Sequence, residues 1–341
     1  MRVGIIGAGW PGERHTEAYK LVPAVEVVAV SDTDEKRRHA FARRFDVPRV
    51  YGGYQELIAD PNIDAVSIGL PNDLHCPAAV LALASGKHVL CEKPPALTVA
   101  EAEQMAEAAR SRGLVLSYAL QRRFNTATVE LGRLISEGAL GDVYHARAVW
   151  TRTWGVPGGV GGWFTDPARA GGGALIDIGV HVLDMAWYLM GRPDPLTVSG
   201  QVHNRYPEQT RTDDSAFALV RFANGRGLHL ETSWVLTQED DHMAVYLYGT
   251  GAGARLDEHS YEIYTVGPSG KSRRGQTFQD RWSGFRGEVG NFVAAVRGHA
   301  PLLTTPSDGI QLMRMLEGIY RSSAEAREVA LPPAVDVTAE P

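Results

Sequence analysis

Apolar positions along the first third of the chain follow two alternating periods. Short runs rich in β-branched residues occupy positions 2–7, 25–31, 65–70, 88–92 and 114–119. Between them, stretches at 35–45, 77–85 and 99–112 carry apolar residues at helical spacing. Strands alternating with helices predict βαβ units and a parallel sheet. The strands are nearly continuous in apolar character, as expected of a sheet covered on both faces. After position 122 the texture changes. Positions 125–137 predict a helix, stopped by Gly138 and Gly141. Longer strands are predicted at 142–150, 196–203, 215–222, 226–236 and 243–248, with Asn224-Gly225 as a hairpin turn. A strongly apolar helix is predicted at 176–190, and two more at 285–297 and 308–326. The pattern divides the chain into an α/β domain over 1–121 and an α+β domain with a mainly antiparallel sheet over 122–341. The late helices are free to pack back on the first domain.

Composition narrows the class. The 341 residues include 37 glycines, where average usage gives about 24. Glycine costs conformational entropy, so the surplus is expected where the backbone needs it. Cys76 and Cys91 show no CxxC spacing, which fits a reducing compartment. Lys and Arg number 34 against 40 Asp and Glu, so nothing points to a nucleic acid partner. No uncharged apolar run reaches the roughly 18 residues of a membrane span. The chain enters a strand at Val3 with no signal peptide before it, so a soluble cytoplasmic protein is expected.

Gly7-Ala8-Gly9-Trp10-Pro11-Gly12 matches G-x-G-x-x-G, directly after a strand and before a helical segment. Gly7 permits the tight turn, Gly9 lets a pyrophosphate approach the backbone, and Gly12 allows close packing of helix on strand. The helix N-terminus adds N–H donors and partial positive charge. These features predict a dinucleotide-binding Rossmann domain. Asp32 ends the second strand, where a carboxylate accepts both ribose hydroxyls and repels a 2′-phosphate. NAD is therefore favoured, with NADP kept open by Lys36, Arg37 and Arg38 nearby. The alternative for Asp32 is a cap on the following helix. A second cluster, Gly249–Gly253, leads into no helical pattern and is expected to be a turn between strands.

Two further motifs suggest chemistry. Cys91-Glu92-Lys93-Pro94-Pro95 ends a strand of the parallel sheet, beyond whose carboxyl ends ligands bind. Lys93 there can hydrogen-bond a substrate hydroxyl, although a solvated surface lysine is the commoner fate. Pro94 restricts Lys93 to extended conformations and is a candidate cis proline. Asp177, His181 and Asp184 fall on one face of the helix predicted at 176–190. Polar side chains inside so apolar a helix need partners, and histidine suits proton transfer near neutral pH. A satisfied core histidine with a capping Asp177 is the alternative reading. No metal site is expected, because no further cluster completes a coordination shell.

Taken together, the segments 7–15, 70–75 (Leu-Pro-Asn-Asp-Leu-His), 86–94 (Gly-Lys-His-Val-Leu-Cys-Glu-Lys-Pro) and 171–184 resemble the Gfo/Idh/MocA oxidoreductases. These are the relatives of glucose–fructose oxidoreductase and inositol dehydrogenase. The likeness runs over essentially the whole chain, including the helix near 289–296. It implies a Rossmann domain followed by an open-faced, mainly antiparallel sheet. Homo-oligomers, dimers or tetramers, would form through that sheet. It also implies that Lys93 lies beside substrate and nicotinamide, that Asp177 holds the substrate hydroxyl and that His181 accepts its proton. Pro71, Asn72, His75 and Glu92 would lie along the cofactor with Trp10 and Pro11. Arg123, in the family's Arg-Phe element, would line the substrate pocket, with Arg122 doubling it.

Four tryptophans, Trp150, Trp154, Trp163 and Trp187, fall close to the proposed catalytic helix. Sugars present apolar C–H faces, so Trp163 and Trp154 are candidate platforms, with Arg152 for hydroxyl contacts. Core packing is the competing role for both tryptophans. The expected activity is NAD(P)-dependent hydride transfer at a secondary hydroxyl of a sugar, polyol or cyclitol. Two alternatives stay open: an NAD-dependent glycoside hydrolase working by transient oxidation, and a non-catalytic NAD-sensing regulator. Nine glycines between 155 and 179 predict a close backbone approach to substrate.

Overall fold

A computed structural model describes residues 1–157, 162–267 and 270–333. The chain divides into two compact units, one of Met1–Gln121 with Phe285–Met313, the other of Arg122–Gly284 with residues 314–333. Residues 1–121 form β1 (Arg2–Ile6), α1 (Trp10–Tyr19), β2 (Glu26–Ser31), α2 (Glu35–Phe45), β3 (Arg49–Tyr51), α3 (Tyr54–Ala59), β4 (Ala65–Ile68), α4 (His75–Ala84), β5 (His88–Glu92), α5 (Val99–Arg110) and β6 (Leu116–Ala119). The following stretch contains α6 (Thr126–Ser136), β7 (Val143–Thr151), the single turn α7 (Pro167–Ala170) and a π-helical turn at Leu175–Gly179 that runs into α8 (Val180–Leu189). Strands β8 (Pro195–His203), β9 (Ser215–Phe222), β10 (Gly227–Ser233), β11 (His242–Gly249), β12 (Gly253–Leu256), β13 (Ser260–Gly267) and β14 (Gly270–Thr277) come next. The chain ends with α9 (Ser283–Val296), α10 (Pro306–Glu325) and β15 (Val329–Ala330).

In the first unit the six strands run parallel in the order β3-β2-β1-β4-β5-β6. This is the doubly wound order in which the sheet reverses between β1 and β4. Val3, Ile5, Val30 and Leu90 pack in one buried cluster with Phe41 and Phe45 of α2 and with Phe285, Val289, Phe292 and Val293 of α9. Burying a phenylalanine as fully as Phe292 is worth about 1.5–3 kcal/mol, so the late segment is part of this core. Side-chain caps set the helix starts: Asp34 accepts from the Arg37 N–H and Thr98 from the Glu101 N–H.

In the second unit nine strands form one sheet in the order β14-β13-β12-β11-β7-β10-β9-β8-β15. β7 and β10 pair in parallel, and the other neighbours pair antiparallel. Ala146, Ala148, Ala218, Val220, Leu228, Leu230, Val245 and Leu247 are buried on one face, where α8 packs on β7 and β11. Arg147, Leu219, His229, Glu231 and Tyr246, next to them in sequence, are only half-buried and lie on the other face. The period-two pattern is thus clear in the centre of the sheet. It fails at the β14 edge, where Gly-Lys-Ser-Arg-Arg-Gly-Gln-Thr is exposed throughout and carries no apolar alternation. The glycines at Gly249–Gly253 turn β11 into β12, as expected, with the Gly249 N–H bonded to the Ala252 carbonyl at 2.9 Å.

Candidate cofactor and catalytic sites

The glycine turn joins β1 to α1. Gly7 adopts φ +96°, and a Cβ on it would lie 2.2 Å from the Gly69 carbonyl oxygen. A Cβ on Gly12 would lie 2.2 Å from the Gly7 carbonyl oxygen and 3.0 Å from Ile5. Gly9 differs: its Cβ would meet nothing nearer than Pro11 at 3.9 Å, so open space lies beside the N-terminus of α1. Pro11 occupies the first turn of α1, where a missing N–H costs nothing. Trp10 is 54% exposed, edge-on to Phe285 at 5.4 Å. The Asp32 carboxylate accepts the Ala8 N–H at 3.0 Å and the Asp34 N–H at 2.8 Å. Asp34 is the helix cap, so Asp32 is tied to the glycine turn instead. An Arg37 nitrogen lies 3.5 Å from Asp32. A donor-rich helix end, an uncrowded Gly9 and a carboxylate fixed at the β2 end fit a dinucleotide.

Pro71, Asn72 and Lys93 follow the carboxyl ends of β4 and β5, with Glu92 the last residue of β5. His75, expected along the cofactor, is instead fully buried. Its two ring nitrogens lie 2.9 Å from the carbonyl oxygens of Pro94 and Leu70. It therefore ties the loop after β4 to the loop after β5, and burial pushes its pKa down. The Lys93–Pro94 bond is cis. The Glu92 carboxylate accepts the Lys93 backbone N–H at 3.2 Å.

In the second unit Asp177 lies on the π-turn and His181 in the first turn of α8. The wider turn adds a residue to the helical register, a feature often found at functional sites. Asp213 fixes its start. The buried carboxylate accepts the Gly173 N–H at 2.6 Å, the Leu175 N–H at 2.9 Å and the Tyr320 hydroxyl at 2.7 Å. Burial raises the Asp213 pKa against those three donors. Gly173 leaves no room for a side chain, because a Cβ there would lie 1.8 Å from the Asp213 carbonyl oxygen. Asp177 accepts a hydrogen bond from the Trp234 indole at 3.1 Å. The His181 ring packs against Trp150 with centroids 5.6 Å apart. Trp150, Val156 and Tyr206 pack against a buried cluster of Ala174, Ile178, Trp234 and Val235.

The polar helix face splits. Asp184 does not join Asp177 and His181 in this aromatic setting. It forms an ion pair with Arg123. Arg123, expected to line a substrate pocket, is only 2% exposed, so the pair belongs to the core. Arg122 reaches Trp150, the ring that packs against His181: its guanidinium lies 4.4 Å over that ring and 3.5 Å from Glu258. Burial lowers its pKa from the ordinary arginine value. Arg152 lies over the same Trp150 ring at 5.5 Å and reaches the Gly155 carbonyl at 3.4 Å. Trp154 is 60% exposed and edge-on to Tyr206 at 5.5 Å. Trp163 is half-buried and stacks on Phe164 at 3.8 Å. Residues 158–161, the middle of the predicted glycine-rich approach, lie outside the described residues.

The sequence reading missed Trp234, Asp213 and Tyr320, which hold Asp177 and its turn. Trp234 falls inside the strand predicted at 226–236, but its partner lies 57 residues away and no local pattern reveals it. It also missed the roles of His15 and Glu288, although His15 closes the first motif.

Both halves describe an oxidoreductase: a parallel sheet with a dinucleotide turn, and an α+β unit presenting a carboxylate and an imidazole from one helix. The first 120 residues match the family model described as "Oxidoreductase family, NAD-binding Rossmann fold", and residues 128–255 match the GFO/IDH/MocA C-terminal domain. D-glucoside 3-dehydrogenase of Escherichia coli (strain K12) is 32% identical over 346 residues, covering 97% of each chain. Trans-1,2-dihydrobenzene-1,2-diol dehydrogenase of Macaca fuscata fuscata is 36% identical over 227 residues, 65% of each chain. A solved structure of levoglucosan dehydrogenase with NADH and levoglucosan superposes with TM-score 0.90 at 25% identity, covering 97% of this chain and 99% of that one. The chain belongs to the GFO/IDH/MocA oxidoreductase family, and its first unit is an NAD-binding Rossmann fold. Among the described residues no helix is long and apolar enough to cross a membrane.

Proposed function

We propose that this oxidoreductase works with NAD on a secondary hydroxyl of a sugar, a glycoside or another polyol. The observation that carries the reading is the Asp177 carboxylate, held by the Trp234 indole on a π-turn that leads directly to His181 against Trp150. The named relatives act on a D-glucoside and on a dihydrodiol, and a third is seen with levoglucosan, which supports a polyhydroxylated ring as substrate. His181 accepts the proton of the substrate hydroxyl oxygen. Asp177 and Lys93 hold that oxygen in place, with the Lys93 ammonium stabilising developing negative charge. NAD, when bound, supplies the oxidising chemistry. The glycine turn, Asp32, Pro71 and Asn72 would hold it. Asp32 supports preference for NAD over NADP, because a carboxylate repels a 2′-phosphate.

The test is a panel of methyl β-D-glucoside, levoglucosan, myo-inositol and trans-1,2-cyclohexanediol, each with NAD and NADP, read by nicotinamide absorbance. Turnover with NAD, abolished in Lys93→Ala at intact NAD binding, is the expected result. Wild-type turnover in that variant would remove Lys93 from the reaction. We also propose a homo-oligomer through the half-exposed sheet face carrying Leu219, His229 and Tyr246, which light scattering checks. A reducing compartment such as the cytoplasm suits two buried, unbridged cysteines.

A further inference from the structure

The first unit buries a charged cluster that the proposed mechanism does not use. His15 lies on α1, three residues past the last glycine of the dinucleotide turn. Its Nε2 is 3.4 Å from Glu92 Oε1 and 3.3 Å from Glu288 Oε1 on α9, and its Nδ1 is 2.7 Å from the Ser67 hydroxyl on β4. His15 has no solvent exposure and Glu288 only 1%. Glu92 also accepts the Lys93 backbone N–H at 3.2 Å. One imidazole thus links α1, β4, β5 and α9, one bond away from the residue that follows β5.

We propose that His15 and Glu288 are positioning residues for Lys93, acting through Glu92. The inference rests on the reading that Lys93 holds the substrate oxygen. A buried carboxylate without a counter-charge neutralises itself by taking up a proton. The imidazolium at His15 prevents this at Glu92, whose pKa is held below its ordinary value. Glu92 then stays an acceptor for the Lys93 N–H and a negative charge beside its ammonium. The two carboxylates raise His15 to about 9 against the cost of burial. Burial raises Glu288 to about 7. The other titratable groups that feel the cluster are Tyr19 on α1, His75 on α4, Cys91 on β5 and Lys93 itself. Above neutrality Glu288 ionises, and its carboxylate 3.3 Å from Nε2 shares the His15 charge with Glu92 at 3.4 Å. Below it, the His15–Glu92 pair stands alone. Glu288 therefore tunes how firmly Glu92 holds the Lys93 backbone.

The experiment compares the full-length wild type with His15→Gln, Glu288→Gln and Lys93→Ala, using the sugar that the panel above turns over fastest. kcat and the KM for NAD are followed from about pH 6 to 9, with thermal unfolding alongside. His15→Gln is expected to lower kcat about 10- to 100-fold, with KM for NAD changed less than about threefold, as misplacement of a reacting group does. Glu288→Gln is expected to remove one inflection near pH 7 from the kcat profile. If His15→Gln does not fold, the nearly isosteric Glu288→Gln decides the matter by that inflection. Wild-type kcat and an unchanged profile in the variants, with Lys93→Ala inactive, would overturn the inference alone. A kcat loss that only follows lost folded protein, with the profile shape unchanged, would do the same. An active Lys93→Ala would overturn the reading of Lys93 itself.

Discussion

The Arg123 guanidinium grips the Asp184 carboxylate inside the second unit, with Nε 3.0 Å from both oxygens and Nη2 2.5 Å from Oδ1. It also lies over the faces of Tyr188 at 4.9 Å and Trp187 at 5.9 Å. Removing one partner of such a pair strands a buried charge. Arg123→Ala should therefore cost about 3–5 kcal/mol of stability, measured by denaturant unfolding. Arg122→Ala removes a cation stacked on Trp150, worth roughly 1–2 kcal/mol, and should act mainly on KM for the sugar. The reverse pattern, with Arg123→Ala stable and raised in KM, would return Arg123 to the substrate side.

Adjacent arginines with opposite fates show where the sequence stops informing. Both precede Phe124 and share one charge, and only the turn at residues 121–124 decides which of them enters the core. The Rossmann half was legible because its strands are buried on both faces and so read as apolar runs. β3 escaped because its three residues leave no pattern to read. The helix at 176–190 was legible as a helix but not as a π-turn leading into α8. A π-turn has no composition of its own, and this one is anchored by Asp213 and Tyr320 from distant segments. Asp177, His181 and Asp184 all fall on one face by ideal α-helical spacing, whereas Asp184 pairs with Arg123 in the core. The tryptophans were legible as aromatic candidates, but which of them touches His181 was not.

Gly12 tests the cofactor turn. A Cβ there would sit 2.2 Å from a backbone carbonyl oxygen, so no side-chain rotation relieves the overlap. Gly12→Ala must push α1 away from the turn and misalign its N–H donors. The loss of two charge-assisted hydrogen bonds, about 1.5 kcal/mol each, corresponds to roughly 100-fold in NADH affinity. Fluorescence titration with NADH measures it. An unchanged Kd would mean that the pyrophosphate does not use this helix end.

Trp234, the residue after β10, donates to Asp177, with the indole nitrogen 3.1 Å from the carboxylate. Trp234→Phe keeps most of the buried ring and deletes the indole N–H. A hydrogen bond to a charged group is worth roughly 1.5–3 kcal/mol. kcat/KM for the sugar should fall about 10- to 100-fold, while NADH affinity in the other unit stays within about twofold. Steady-state kinetics beside an NADH titration separates the two. Equal losses in both would show a general folding defect instead.

The buried histidine gives the protein a defined pH dependence of stability. His15 titrates near 6.5 in an unfolded chain and is raised to about 9 in the folded protein. Between those values the folded state holds a proton that the unfolded state has released, so raising the pH favours unfolding. The stabilisation is complete below about 6.5 and is lost as pH climbs through about 9, roughly 3 kcal/mol in all. Glu288, raised to about 7, acts in the same direction, its share being lost as pH rises through that value. Glu92, held below its ordinary value, acts oppositely, and its contribution fails only as pH falls through that lowered value. Calorimetry from about pH 6 to 9.5 should show Tm falling by about 5–10 °C. His15→Gln should flatten the slope and lower the acid end most, because that is where the wild-type proton is fully bound. Parallel slopes in the two proteins would mean that His15 is neutral in the fold, leaving the two carboxylates to share a proton between them.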